Sequence, residues 1–224
     1  MKRITDQALI RQYLRQVPLT EYFDFDITPF LSVVQFESGE TILKEGTVPA
    51  SLYYMIDGRA KLFLTHENGR ISLINFLDGP CFIGEMEFIG AQESSNGITA
   101  IALCTCFAMD VHSCRTEILE DKTFLRNLCL FLGRKAIGNT YNYSCNQSYP
   151  LNVRLAHFIL LTAHGVWYRE THTEAAEFLG VSYRHFLYVL AGLVRSGVLE
   201  KTEQGYRIRD KAALEILAAP FFRT

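Results

Sequence analysis

The twenty residues from Thr171 to Leu190, THTEAAEFLGVSYRHFLYVL, decide the fold of the segment around them. Thr171 with Glu174 three residues later fits a capping box and predicts a helix start. Ala175 and Ala176 are small where two helices must cross closely. Gly180 supplies a left-handed turn without a Cβ penalty, and Ser182 is a good cap for a second helix. Phe186, Val189, Leu190 and Leu193 then form that helix's core stripe. This leaves Tyr183, Arg184, His185 and Tyr188 on the outward face. A helix-turn-helix of this kind can place its second helix in the major groove of DNA. Directly after it, Gly197 to Arg209 reads as a β-hairpin with Gly205 at its tip. Lys201, Arg207 and Arg209 on the hairpin can neutralise phosphates. Helix-turn-helix plus hairpin is a winged helix. The competing reading is a helical hairpin inside an enzyme domain.

Upstream the periodicity changes twice. From Ser32 to Val111 short strands are punctuated by glycines at 39, 46, 58, 69, 79, 84, 90 and 97. In Ala60–His66, Leu62 and Leu64 are expected on one face, with Lys61 and Thr65 on the other. Glu67-Asn-Gly-Arg70 between two apolar runs is a hairpin signal. A small barrel or sandwich is the expectation, preceded by a short helix over Gln7–Gln16. After Asp110 the period becomes 3.6, with Phe124, Leu125, Leu128, Phe131 and Leu132 forming an apolar stripe. The helix turns polar through Asn139–Asn146 and ends before Pro150. A long amphipathic helix between two domains is often a dimer seam, with packing on its own barrel as the alternative. Leu151 to the end is a third regime of short helices and one hairpin.

Composition bounds the rest. The chain has 224 residues, 49% hydrophobic and 21% charged, which excludes disorder and disulfide mini-protein scaffolds. No run is long enough for a membrane span and the N-terminus does not read as a secretory signal, so a cytoplasmic protein without membrane association is expected. The net charge of −2 argues against a globally basic nucleic-acid binder. It is uneven: residues 1–149 carry 13 Lys/Arg against 17 Asp/Glu, and residues 150–224 carry 9 against 7. Four of the six histidines, His157, His164, His172 and His185, lie in the later segment. An anion-binding C-terminal module on an acidic body fits that asymmetry. None of the six cysteines stands in a C-x-x-C, so zinc ribbons and thioredoxin motifs are out.

A glycine-punctuated barrel, a connecting helix and a winged helix, in that order, resemble the Crp/Fnr family of bacterial transcription regulators. The resemblance is carried by Phe36-Glu-Ser-Gly-Glu-Thr-Ile-Leu-Lys-Glu-Gly46, Leu52-Tyr-Tyr-Met-Ile-Asp-Gly58, Phe82-Ile-Gly-Glu85 and the helix-turn-helix. Within the family the chain is most similar to the YeiL branch, through Pro80-Cys-Phe-Ile-Gly-Glu85 and Gly180-Val-Ser-Tyr-Arg-His185. It implies an α+β fold. Residues 1–111 would form a cyclic-nucleotide-binding-like β-roll (a jelly roll), 112–149 the connecting and dimerisation helices, and 150–224 the winged helix-turn-helix. It further implies a cytoplasmic homodimer on a two-fold symmetric site in double-stranded DNA, with RNA polymerase as partner if the protein is an activator. The expected DNA-binding set is Thr173, Ser182, Tyr183, Arg184, His185, Tyr188 and Lys201. An enzyme is not expected. The alternatives are a cyclic-nucleotide signalling module and a cupin-type metal-binding enzyme, for which His66 and His112 offer no converging ligand cluster.

Departures from the family matter equally. The resemblance places the effector pocket at Gly84, Glu85, Ser95 and Asn96. Cyclic-AMP-binding members follow Gly-Glu with an arginine that pairs with the cyclic phosphate. Here that stretch reads Glu93-Ser-Ser-Asn-Gly97, and an uncompensated buried phosphate argues against cyclic AMP. Members with an iron–sulfur cluster use an N-terminal cysteine run, and residues 1–80 contain no cysteine. Cys81, Cys104 and Cys106 stand as a metal or redox site, an iron–sulfur cluster included, or as core packing. Tyr183, Arg184 and Tyr188 occupy positions where many members place Arg, Glu and Arg. Arg184 can still take guanine O6 and N7, and the target sequence is expected to differ from the common family one.

Overall fold

A computed structural model describes residues 2–69, 71–163 and 165–222; Arg70 of the expected hairpin turn and His164 of the histidine-rich segment lie outside them. The chain forms two compact units, Met1–Leu132 and Gly133–Thr224.

The first unit contains strands β1 (Lys2–Ile4), β2 (Leu31–Phe36), β3 (Thr41–Leu43), β4 (Ser51–Asp57), β5 (Arg59–Thr65), β6 (Ile71–Asp78), β7 (Cys81–Ile83), β8 (Gly97–Ala100) and β9 (Cys104–Asp110). Its helices are α1 (Gln7–Leu14), α2 (Glu85–Phe88), α3 (Val111–Glu120) and the first part of α4 (Lys122–Ser148). The strands make a five-stranded sheet, β1-β2-β9-β4-β7, and a four-stranded one, β3-β8-β5-β6. Every pairing is antiparallel.

β9 shows why its sequence is apolar almost throughout. Cys104, Cys106 and Ala108 point into a cluster with Val34, Phe36, Met55 and Ile98, the core between the sheets. The alternate residues Phe107 and Met109 enter a second cluster with Leu31, Val33, Tyr54 and Phe82, closed by Ile10, Ile118, Phe124 and Leu128 from the helices. A strand covered on both faces has no side left for polar alternation. In β5, by contrast, the register shifts between Leu62 and Phe63. Leu62 packs on the core while Leu64, two residues further along the same strand, is 37% exposed. The extra residue is Ile74 of β6, which falls between the paired Leu73 and Asn75, so β5 keeps its own alternation. The Phe63 ring fills the space a Cβ on Gly97 of the adjacent strand would need. At the hairpin, Gly69 has φ +77° and its N–H donates to the His66 carbonyl at 2.8 Å, a turn that favours glycine.

α3 and the start of α4 pack in the first unit, so the boundary between the compact units falls within α4. The α3–α4 junction is held by Asp121, a buried carboxylate that accepts from the Phe124 N–H at 2.8 Å and the Asp24 N–H at 2.7 Å. The apolar stripe is corrected at its centre. Phe124 and Leu128 are buried in the unit's own core, and Phe131 and Leu132 pack against it. Leu125 of the expected stripe is exposed, as are Leu130, Ile137 and Tyr143 of the same helix.

The second unit continues from α4 with α5 (Leu151–Thr162), β10 (Trp167–Tyr168), α6 (His172–Phe178), α7 (Tyr183–Arg195), β11 (Leu199–Thr202), β12 (Gly205–Ile208) and α8 (Lys211–Ala218). The sheet order is β10-β12-β11. β10 was not legible as a strand, because two residues gain an extended conformation only by pairing with β12. Phe158 on α5 meets Tyr168 edge-on and tilts against Phe178 of α6, joining helices and sheet in one core.

Candidate nucleic-acid interface

α6 and α7 are separated by a turn that the sequence specifies closely. The Val181 N–H donates to Ala176 O and the Gly180 N–H to Glu177 O, both at 3.0 Å, with Gly180 at φ +63°. That is a Schellman closure with glycine in the left-handed position. Arg154 of α5 donates from Nη1 to the Leu179 carbonyl at 2.6 Å, satisfying an acceptor that the end of α6 leaves open. The Thr171 cap differs from expectation. Its hydroxyl donates to Glu174 Oε2 at 2.8 Å and caps no backbone N–H, so the two side chains pair with each other. Ser182 caps α7 as expected, its oxygen accepting from the His185 N–H at 3.3 Å.

α7 divides cleanly into two faces. Phe186, Leu190 and Leu193 are buried, while Val189 of the expected core stripe is only half-buried. Tyr183 is 50% and Tyr188 70% exposed, and Arg184 and His185 are exposed with them. Thr173 and Ser182 are exposed near the start of their helices. Six of the seven expected DNA-binding side chains therefore lie at the solvent surface of the helix-turn-helix, with the seventh, Lys201, exposed on the hairpin. Arg195, at the far end of α7, stands over the Tyr188 ring at 6.0 Å.

The hairpin refines the role of each cation. Its turn residues are Glu203 and Gln204; Gly205 already pairs with Thr202 in β12 and is not the tip. Glu200 opposes Arg207 and Lys201 opposes Tyr206. Side chains of directly opposed residues share a sheet face, so Lys201 lies on the side of buried Tyr206 and Arg207 on the other. Arg209 is ion-paired with Glu200 at 3.5 Å, which offsets its charge. Sequence reasoning missed His172, whose ring lies 5.6 Å from those of both Phe186 and Tyr206. Burial first, and the nearby Lys201 charge second, lower its pKa. A histidine on a helix's first turn gives no sequence signal for such a bridging place.

The sensor-side residues separate by role. Gly84 takes φ +86° immediately before α2, and Glu85 is buried at the helix start. Ser95 is 3% exposed and its hydroxyl lies 2.8 Å from Lys44 O and 2.9 Å from Thr47 O, fastening two loops together. Asn96 beside it is half-buried. Cys106 and Cys81 both pair with Met55, on either side of it. Two strand spacings therefore separate them, about 9–10 Å, beyond disulfide reach without backbone movement. Cys104 donates from Sγ to the Arg59 carbonyl at 3.2 Å. Burial raises the pKa of both Cys104 and Cys106, which disfavours the thiolate that metal and redox chemistry need. Among the described residues no group of three His, Cys, Asp or Glu is placed to hold a metal ion.

The cyclic nucleotide-binding domain family matches residues 33–121, and the Crp-like helix-turn-helix domain family matches residues 153–217. The chain is 44% identical over 193 residues to the regulatory protein YeiL of Escherichia coli O157:H7, covering 86% of this chain and 88% of that one. It belongs to the Crp/Fnr family of transcription regulators. The fold agrees with a putative Crp/Fnr-family regulator from Eubacterium rectale, at TM-score 0.79 and 14% identity over 92% of this chain and 99% of that one. It also agrees with a Crp/Fnr-family regulator from Thermus thermophilus, at TM-score 0.70 and 20% identity over 84% and 98%. A cyclic-nucleotide-binding-like β domain, a long helix and a Crp-like helix-turn-helix are thus the architecture of a transcription regulator, not an enzyme. Among the described residues no helix is long and apolar enough to cross a membrane.

Proposed function

We propose that this Crp/Fnr regulator binds a two-fold symmetric site in double-stranded DNA as a homodimer, in response to a signal other than cyclic AMP received by its β-roll. The observation that carries the DNA reading is the face of α7: Tyr183, Arg184, His185 and Tyr188 are exposed together on a helix whose opposite side, Phe186, Leu190 and Leu193, is buried. A helix held in that way can offer side chains to base edges at low cost in entropy. Homodimerisation is supported by Leu130 and Ile137, seven residues apart on one helix face and 50% and 73% exposed. Family likeness supports contact with RNA polymerase if the protein activates.

Ser95 supports the exclusion of cyclic AMP. At the place where the resemblance calls for a phosphate-binding arginine, a short hydroxyl contacts two loop carbonyls. Glu93–Gly97 supplies no cation for a buried phosphate.

Genome-wide mapping of bound sites, followed by footprinting on one of them, tests the whole reading. The expected footprint has two equal half-sites about one helical turn apart. Protection of a single half-site by a monomer would overturn the symmetric reading.

A further inference from the structure

Leu187, Leu190, Ala191 and Val194 form one strip along α7, at helical spacing i, i+3, i+4 and i+7. The hairpin, with Tyr206 as its nearest wall, covers this strip incompletely and leaves a groove of about 350 Å³. That lies in the size range of small-molecule sites. Two cations stand at its edge, Arg195 from the end of α7 and Lys201 from β11. Among the described residues neither makes an ion pair, in contrast to Arg209 and Lys211, which hold Glu200 and Glu215. An apolar floor beside two uncompensated cations selects a particular chemistry. A bare anion gains only a screened surface attraction, and a neutral hydrocarbon gains only the apolar burial. A molecule with one carboxylate on an apolar body gains both.

We infer that the groove between α7 and the hairpin is a binding site for a small organic monocarboxylate with an apolar body, its carboxylate on Lys201 and Arg195. The site itself is independent of the DNA-binding reading; its consequence rests on that reading. An occupant neutralises two positive charges beside the exposed face of α7 and fixes the wing against that helix. Bound carboxylate therefore weakens DNA binding and flattens its salt dependence.

Calorimetric titration of the full-length protein with octanoate tests the site, with octan-1-ol and inorganic phosphate run in parallel. Saturable octanoate binding is expected, with octan-1-ol weaker by about tenfold or more and no saturable binding of phosphate. Ala191→Phe fills the groove from a half-buried position that is not itself among the expected DNA-binding residues. It is expected to remove octanoate binding while the affinity for a mapped DNA site stays unchanged. Lys201→Gln alters only an exposed side chain, so it keeps the test decisive should Ala191→Phe unfold; it is expected to weaken octanoate by about tenfold. Failure of the unmodified protein to bind octanoate, or equal binding by Ala191→Phe or Lys201→Gln, overturns the site. So does octanol binding as tightly as octanoate. A protein that takes up octanoate but binds no mapped DNA in its absence would refute the DNA reading and leave the site standing.

Discussion

At the scale of single residues, the two arginines nearest the candidate interface are not equivalent. Arg184 lies in the first turn of α7, where helix-turn-helix side chains meet bases, whereas Arg207 lies on β12 of the hairpin, from which contact with the DNA backbone alone is expected. Arg184→Ala is expected to cost about 1–3 kcal/mol at the specific site and to relax preference at one base pair per half-site. Arg207→Ala is expected to weaken specific and random DNA alike and to lower the salt slope by about one ion. Titrations on both DNAs at several salt concentrations separate the two. Equal loss on both DNAs for Arg184→Ala would make it a phosphate anchor. Thiol reactivity is a second residue-scale consequence. Cys129 is exposed, while Cys104, Cys106 and Cys114 are buried, the last with its pKa pushed up to about 11. In the native protein a thiol reagent is expected to modify Cys129 first and to reach those three only on unfolding. Native-state labelling of Cys104 or Cys106 at the rate of Cys129, read by peptide mass spectrometry, would restore a redox role for that pair.

Elements carry the next level of consequence, and α4 is the informative one. Its two apolar faces have different duties. Leu128 is 2% exposed in the first unit's core, so Leu128→Asp places a carboxylate among apolar groups and is expected to destabilise that unit by several kcal/mol, of order ~3–5. Leu130→Asp with Ile137→Asp alters only exposed positions and is expected to leave the melting temperature nearly unchanged while giving monomers in sedimentation. Persistent dimers in the double variant would place the seam elsewhere. The sequence showed that this helix is amphipathic and where it ends. It did not show which part of the stripe packs internally, because apolar side chains look alike whether they meet their own barrel or a second copy. Likewise, the cap at Ser182 and the left turn at Gly180 were legible, since local backbone geometry demands those residue types. β1 and β10 were not, because each exists only through pairing with a strand distant in sequence.

For the molecule as a whole, the second unit holds a pH dependence that no single motif announces. His157 stacks on Phe221 at 4.1 Å and His172 lies among aromatic rings, and burial lowers both pKa values from an ordinary value near 6.5. The folded state therefore binds fewer protons than the unfolded chain. Stability is fully present above the unfolded pKa and is lost as pH falls below it toward the folded values. Thermal unfolding from pH 7.5 to 5.5 is expected to show a falling midpoint for this unit, with His157→Phe reducing the fall. A midpoint independent of pH over that range would refute it. The sequence by itself determined the order of β-roll, long helix and winged helix, and the exposed face of α7. Helical period, strand period and turn chemistry are local properties written in neighbouring residues. Only the tertiary structure decided that β9 is covered on both faces, that Leu128 belongs to a core, that Ser95 fastens loops, and that Lys201 faces α7. Those outcomes depend on which distant surfaces meet, and burial acts on area removed from water regardless of where along the chain the covering atoms come from.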